Sequence, residues 1–178
     1  MTTKSLSEHA TNDKLDDIST DIGLLLLRVV FGGLLAAHGS QKLFGWFDGP
    51  GWRANADGFH EMGYNPGKLF GTIAGLSECT GGVLLLLGLL TPLASAIVIG
   101  TMINAINASW SGGLLTGKGY ESALLFAVAA AAIAFTGPGK FSLDAGNPWQ
   151  RQGFVWGVGA IVLAVVAGLL ALILKWVF

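Results

Sequence analysis

The chain has 178 residues and a net charge of −1, and it combines 52% hydrophobic with only 12% charged residues at a mean hydropathy of +0.62. A soluble domain carries about 25% charged residues, so this composition favours a single domain built of apolar helices in a membrane. The near-zero net charge excludes the basic surface of a nucleic-acid-binding protein. The only cysteine, Cys79, excludes an internal disulfide framework.

Residues 1–21 are polar and mostly acidic. They lack the basic start, the short apolar run and the cleavage site of a secretory signal peptide. We therefore expect a disordered tail on the cytosolic side of the cell membrane, followed by an uncleaved first span. The basic residues of the connecting segments occur on both predicted faces, so the positive-inside rule does not decide the orientation.

Five apolar runs predict an all-α bundle of membrane-spanning helices. Thr91 and Pro92 form a tight turn between the second and third runs, since proline is tolerated in the first turn of a helix. The sequence Gly-Pro-Gly at residues 137–139 ends the fourth run. The predicted spans are residues 22–40, 69–90, 93–110, 122–136 and 153–174.

The connection at residues 41–68 is too long for a simple helical hairpin. It combines aromatic with basic residues, among them Trp46, Phe47, Trp52, Phe59, Lys42, Arg53 and Lys68. Aromatic and basic side chains are typical of segments at the lipid headgroups. The connection is expected either to lie in that interface or to fold back over the bundle.

Polar residues inside the spans are costly in lipid and therefore mark functional candidates. Counted at 1.5 Å per residue from the face of the N-terminus, Glu78 and Asn104 lie about 18 Å deep. His38 and Asn107 lie about 22–24 Å deep, and Arg28 only about 9 Å. These depths predict a polar pocket in one half of the bundle, opening towards the aromatic connection. The residues expected to form it or its rim are His38, Gln41, Lys42, Trp46, Glu78, Asn104 and Asn107.

Structural interpretations remain open for each candidate. Glu78 would serve only as interhelical glue if it bonds to Asn104 as a neutral group. His38 would simply bond to a carbonyl group or to water near its helix end, and Asn107 would only pack. Arg28 would extend to the headgroups. The loop aromatics would form an ordinary interfacial belt.

Several cofactor chemistries are not indicated by the sequence. Haem ligation by two histidines needs a second histidine in a span, and a structural zinc site needs thiolates. No flavin site, phosphate-cradling glycine loop or nucleophile–base triad is recognisable. A small-solute transporter is disfavoured because no inverted repeat is visible.

Three motifs resemble those of one protein family. Residues 38–45 read H-G-S-Q-K-L-F-G, which is similar to the signature H-G-x-Q-K-L-x-G, and residues 75–82 match G-x-x-E-x-x-G-G around Glu78. Residues 137–144 are similar to the segment after the family's fourth helix. The chain thus resembles the DoxX family of small bacterial integral membrane proteins over residues 22–145. The helix at 153–174 is an addition to that four-helix core.

The resemblance implies a membrane component tied to redox metabolism, similar to the membrane subunit of thiosulfate:quinone oxidoreductase. We expect a membrane subunit of a quinone-linked oxidoreductase assembly whose polar pocket binds a quinone headgroup. His38, Gln41 and Lys42 would donate hydrogen bonds, and Glu78 would relay protons, with His38 and Glu78 as the catalytic pair. The aromatic residues of the connection, such as Trp46, would stack on the headgroup.

The chain has no self-contained catalytic motif, so a redox partner protein would supply the electrons. A homo-oligomer and contacts with membrane lipid are also expected. The alternative is a non-enzymatic scaffold or assembly factor for redox partner proteins, in which the same polar residues fix helix packing.

Overall fold

The computed structural model describes the backbone of residues 3–177 and the side chains of residues 15–177. Within that range the chain is helical and has no strands, which confirms the all-α bundle. Its elements are α1 (Thr3–Leu27), a π-helical segment (Arg28–Gly32), α2 (Gly33–Phe44), α3 (Gly51–Glu61), α4 (Gly67–Leu87), α5 (Thr91–Ser109), a 3₁₀ turn (Trp110–Gly112), α6 (Glu121–Thr136) and α7 (Phe154–Val177).

Four helical stretches are long and apolar enough to cross a membrane: Leu15–Phe44, Gly67–Leu87, Thr91–Gly112 and Phe154–Val177. The chain is therefore an integral membrane protein. The fourth predicted span, residues 122–136, corresponds to α6, an apolar helix of 16 residues. Such a helix is about 24 Å long, which is shorter than the hydrocarbon core of about 30 Å, so whether α6 crosses the membrane fully stays a prediction.

The N-terminal segment differs from the expected disordered tail at residues 1–21. Helix α1 begins at Thr3, and only Met1 and Thr2 of this segment lie outside the described backbone. Two physical reasons account for the helix. Residues 3–22 contain neither glycine nor proline, and Asp21 accepts a hydrogen bond of 2.9 Å from the backbone N–H of Lys140. That contact holds α1 against the segment that follows α6.

The helices pack around α4 and α5. Helix α2 lies along α4, α3 lies against α2 and α4, α4 packs on α5, and α5 carries both α6 and α7. The aromatic connection therefore folds back over the bundle, since α3 forms its middle. Whether α3 also lies at the lipid headgroups stays a prediction.

Small residues let α2 and α4 approach closely. A side chain at Gly39 would collide with the backbone N of Cys79, and one at Gly82 would collide with the backbone of Ala36. Close approach through small residues is the usual way to pack helices in lipid, where burial of apolar surface gives no advantage. Glycine therefore sets the distance between these two helices.

Two buried charged residues close the end of the bundle at which α4 ends and α5 begins. Arg28 is 1% exposed and donates to the carbonyl oxygens of Leu86, at 3.2 Å, and of Phe141. Asp144 is fully buried and accepts hydrogen bonds of 2.9 Å from the backbone N–H groups of Leu90 and Thr91. Both therefore satisfy free groups of helix ends. Arg28 does not extend to the headgroups as one interpretation expected.

Replacing Asp144 is expected to destabilise the bundle. Asp144→Ala removes a buried acceptor of three hydrogen bonds, one of them from the Thr91 hydroxyl at 2.7 Å. The expected loss is about 3 kcal/mol, seen as a lower Tm of the purified protein in detergent. Asp16→Ala is the control, because Asp16 is exposed. Equal Tm values for the two variants would contradict the capping role.

Adding one methyl group to Gly39, where α2 contacts α4, is expected to destabilise the packing of these two helices. Gly39→Ala places a Cβ against the backbone of α4 and should cost about 2 kcal/mol, because two backbones must move apart. Gly23→Ala is the matched control in the same long helix, since nothing lies within 4 Å of its Cβ position. Its stability should be unchanged or slightly raised. Thermal unfolding in detergent measures both.

Candidate functional site

A cavity of about 630 Å³ lies between α2, α3, α4, α5, α6 and α7. Its volume is in the usual range for small-molecule sites, and its walls are largely apolar. Of the expected site residues, His38, Lys42, Glu78 and Asn104 line it. These four side chains come from α2, α4 and α5, and the structure brings them together as their depths in the bundle predicted. Further polar residues of the wall are Asn55, Tyr64, Ser77 and Thr101.

A buried ion pair forms the polar wall of the cavity. The Lys42 ammonium group donates to Oε1 of Glu78, whose side chain is 4% exposed, whereas that of Lys42 is 30% exposed. Oε2 of Glu78 is buried and has no hydrogen-bond partner among the described residues. Buried polar atoms are nearly always paired, so an unpaired carboxylate oxygen on a residue of the cavity wall points to a ligand or a proton.

Gln41 orients His38 rather than lining the cavity. The amide nitrogen of Gln41 donates to the carbonyl oxygen of Phe47 at 3.1 Å, which turns its Oε1 towards Nδ1 of His38 at 3.2 Å. An amide oxygen only accepts, so Nδ1 carries the proton. Nε2 of the neutral ring is then an acceptor. Gln41 therefore fixes the tautomer of a histidine on the cavity wall.

Asn104 joins two helices and a loop. Its amide nitrogen donates to the carbonyl oxygens of Gly100, at 3.2 Å, and of Gly168 in α7, at 3.1 Å. Its Oδ1 accepts from the hydroxyl of Tyr64 at 3.4 Å. The partner of Asn104 is thus not Glu78, as one interpretation had it. Asn104 is the interhelical contact that positions α7 against the cavity.

Tyr64 is one of the polar wall residues that were not expected from the sequence, together with Asn55 and Ser77. It is 2% exposed, and the Lys175 ammonium group lies 4.4 Å from the centre of its ring. Burial raises the pKa of Tyr64, so its phenol stays a neutral hydrogen-bond donor. The sequence gives little indication of this role, because a tyrosine near several tryptophans and phenylalanines is typical of an interfacial aromatic belt.

Besides Gln41, two expected site residues, Trp46 and Asn107, do not line the cavity. Trp46 is 60% exposed, and its ring lies 5.1 Å from that of Phe44. Asn107 is exposed and lies on the flank of α5, because the cavity side of that helix is formed by Asn104, Ala105 and Ala108. Counting residues along the helix predicts how deep Asn107 lies in the bundle, but it does not predict which side of α5 its side chain is on.

The described side chains include no group of three or more histidine, cysteine, aspartate or glutamate residues that would hold a metal ion. The polar residues of the cavity wall combine a donor, the Lys42 ammonium group, with two groups that can accept, the Glu78 carboxylate and Nε2 of His38. Apolar side chains enclose the space around them.

A family model described as DoxX matches residues 23–111, which is half of the chain. The matched segment contains His38, Lys42, Glu78 and Asn104 but ends before α6. The matched segment is shorter than the range of residues 22–145 over which the motifs resemble the family. Helix α7 lies outside the matched segment, as expected. Neither the curated proteins nor the solved structures that were compared gave a match.

The Lys42–Glu78 pair is expected to be energetically coupled. Lys42→Met alone leaves a buried carboxylate without its cation and should destabilise the protein. The double variant Lys42→Met/Glu78→Gln should therefore lose less stability than the sum of the losses in the two single variants. A double-mutant cycle on detergent unfolding should give a coupling energy of about 1–3 kcal/mol. The exposed pair Lys140–Asp17, at 3.4 Å, is the control and should show no measurable coupling.

Proposed function

Because the chain belongs to the DoxX family, we propose that it is the membrane subunit of a quinone-linked oxidoreductase assembly and that its cavity binds the quinone headgroup. The observation that carries this proposal is the Lys42–Glu78 pair on the wall of a largely apolar cavity, in which the buried second carboxylate oxygen of Glu78 has no partner among the described residues.

The cavity fits the chemistry of such a headgroup. A quinone headgroup is a flat apolar ring with two carbonyl acceptors, so its site needs donors between apolar walls. The Lys42 ammonium group has protons beyond the one that it gives to Glu78, and the Ser77 hydroxyl is a second donor. Leu35, Ile97 and Phe126 supply apolar surface around them.

A bound quinone would supply two-electron, two-proton carrier chemistry. The chain's own part is to hold and move protons. Glu78 is a residue of the cavity wall with one carboxylate oxygen unpartnered among the described residues, and Lys42 connects that carboxylate to a more exposed position. Nε2 of His38 is a second acceptor on the same wall. The electrons would come from a redox partner protein.

Quinone affinity tests the proposal. The full chain in lipid nanodiscs should bind a decyl-tailed benzoquinone, and Lys42→Met and Glu78→Gln should each weaken binding about tenfold or more, which is about 1.4 kcal/mol. Glu78→Gln keeps the size and removes the charge, so it isolates the role of the carboxylate. Asn107→Ala is the control, since Asn107 is outside the cavity. Isothermal titration or equilibrium dialysis measures the affinities.

The alternative, a scaffold or assembly factor, predicts that the protein does not bind quinone. Absence of quinone binding by the wild type, and by His38→Ala and Glu78→Gln alike, would overturn the quinone proposal. A scaffold would in addition keep its partner proteins bound after Glu78→Gln, because a neutral amide still forms hydrogen bonds between helices. Co-purification in mild detergent, followed by an absorbance spectrum, separates these outcomes.

A further inference from the structure

The helices around the cavity form a row that is not closed between its two ends. Helix α2 packs along α4, α4 along α5, and α5 along α6. The pair α2–α6 is not among the extensive helix contacts in the part of the chain that is described. Where these two helices approach, the ring of Phe126 lies between them, edge-on to Phe31 at 5.8 Å and to His38 at 5.9 Å.

Beyond Phe126, towards the start of α6, the facing residues are small. Gly119, Ser122 and Ala123 all line the cavity. His38 on α2 and Ser122 on α6 line it and are also exposed at the surface. Exposed residues of the cavity wall mark points at which the cavity reaches the outside. Met62 and Ile73 are such residues on the side of α3 and α4, and His38 and Ser122 are such residues at the gap between α2 and α6.

The surface around this gap is apolar. Leu34 on α2 is 53% exposed, and Leu125 on α6 is 54% exposed. Leu34 belongs to a stretch that is long and apolar enough to span the membrane, and α6 is apolar from residue 123 to residue 135. Exposed leucines on a spanning helix face lipid rather than water. The gap therefore faces the hydrocarbon of the bilayer.

We propose that this gap, bounded by His38, Ser122, Ala123 and Phe126, is a lateral portal through which a lipid-soluble ligand enters the cavity from the bilayer. The ligand class is a small headgroup with hydrogen-bond acceptors on a hydrocarbon tail. The headgroup lies at Lys42 and Glu78, and the tail extends through the portal between α2 and α6. The identity of the headgroup rests on the proposed function, whereas the portal rests on the helix arrangement alone.

The portal is tested without any quinone. In a Cys79→Ala background, Ala123→Cys places a thiol on the cavity wall at a position that is only 7% exposed. A neutral maleimide with a long alkyl chain, dissolved in the lipid of the nanodisc, should modify this thiol. Adding Ser122→Trp should slow the reaction tenfold or more, because the indole fills the portal.

Two control positions lie on the same helix. Leu125→Cys faces the lipid and should react readily, and Ala130→Cys is fully buried outside the cavity and should stay unmodified. Ala105→Cys on the opposite cavity wall gives a second test if Ala123→Cys does not purify as a single species. Mass spectrometry of the intact protein measures each rate.

The portal is overturned if the cavity thiols stay unmodified while Leu125→Cys reacts. Faster modification of Ala123→Cys by a charged, water-soluble thiol reagent would also overturn it, since the cavity would then open to water. A reactive Ala123→Cys in a protein that binds no tailed quinone would leave the portal standing and would refute the proposed function instead.

Discussion

The close approach of α2 to α4 is the constraint on which the candidate site depends. Gly39 lies directly against the backbone of Cys79, the residue that follows Glu78. Lys42 is three residues after Gly39, almost one helical turn, and its ammonium group therefore reaches the Glu78 carboxylate. A wider separation of the two helices would leave a carboxylate buried in an apolar environment without its cation, which is costly. The glycine contacts between α2 and α4 are thus required for the ion pair as well as for the packing.

The bundle uses buried charge in two different ways. At the end where α5 begins, both carboxylate oxygens of Asp144 are occupied by donors from the start of α5, and Arg28 binds carbonyl oxygens of Leu86 and Phe141. That end is closed by contacts within the chain. In the middle of α4, by contrast, Glu78 belongs to the cavity wall, and its Oε2 has no partner among the described residues. A buried carboxylate therefore stabilises the fold at Asp144, whereas at Glu78 one of its oxygens is left without a partner beside the cavity.

The sequence predicted the heights of polar groups in the bundle better than their directions. Hydrophobic runs located the spans, and counting residues placed His38, Glu78 and Asn104 in the same half, where they line one cavity. The same counting does not say which way Asn107 points around α5. Nor does it reveal partners that are remote in the chain, such as Asp144 for Thr91 or Tyr64 for Asn104. The polar composition of residues 1–21 suggested disorder, whereas the structure shows a helix there, in which no glycine or proline interrupts residues 3–22 and Asp21 contacts Lys140.

Helix α7 lies outside the segment that the family model matches, yet it belongs to the cavity. Ala167 and Ala171 form part of the wall, and the carbonyl oxygen of Gly168 is a partner of the Asn104 amide. At its far end, Lys175 lies over the ring of Tyr64, whose hydroxyl donates to the same asparagine. Without α7, one donor of Asn104 would lose its acceptor and the cavity would lose a side. The matched segment thus supplies the ion pair, and the additional helix encloses the space beside it.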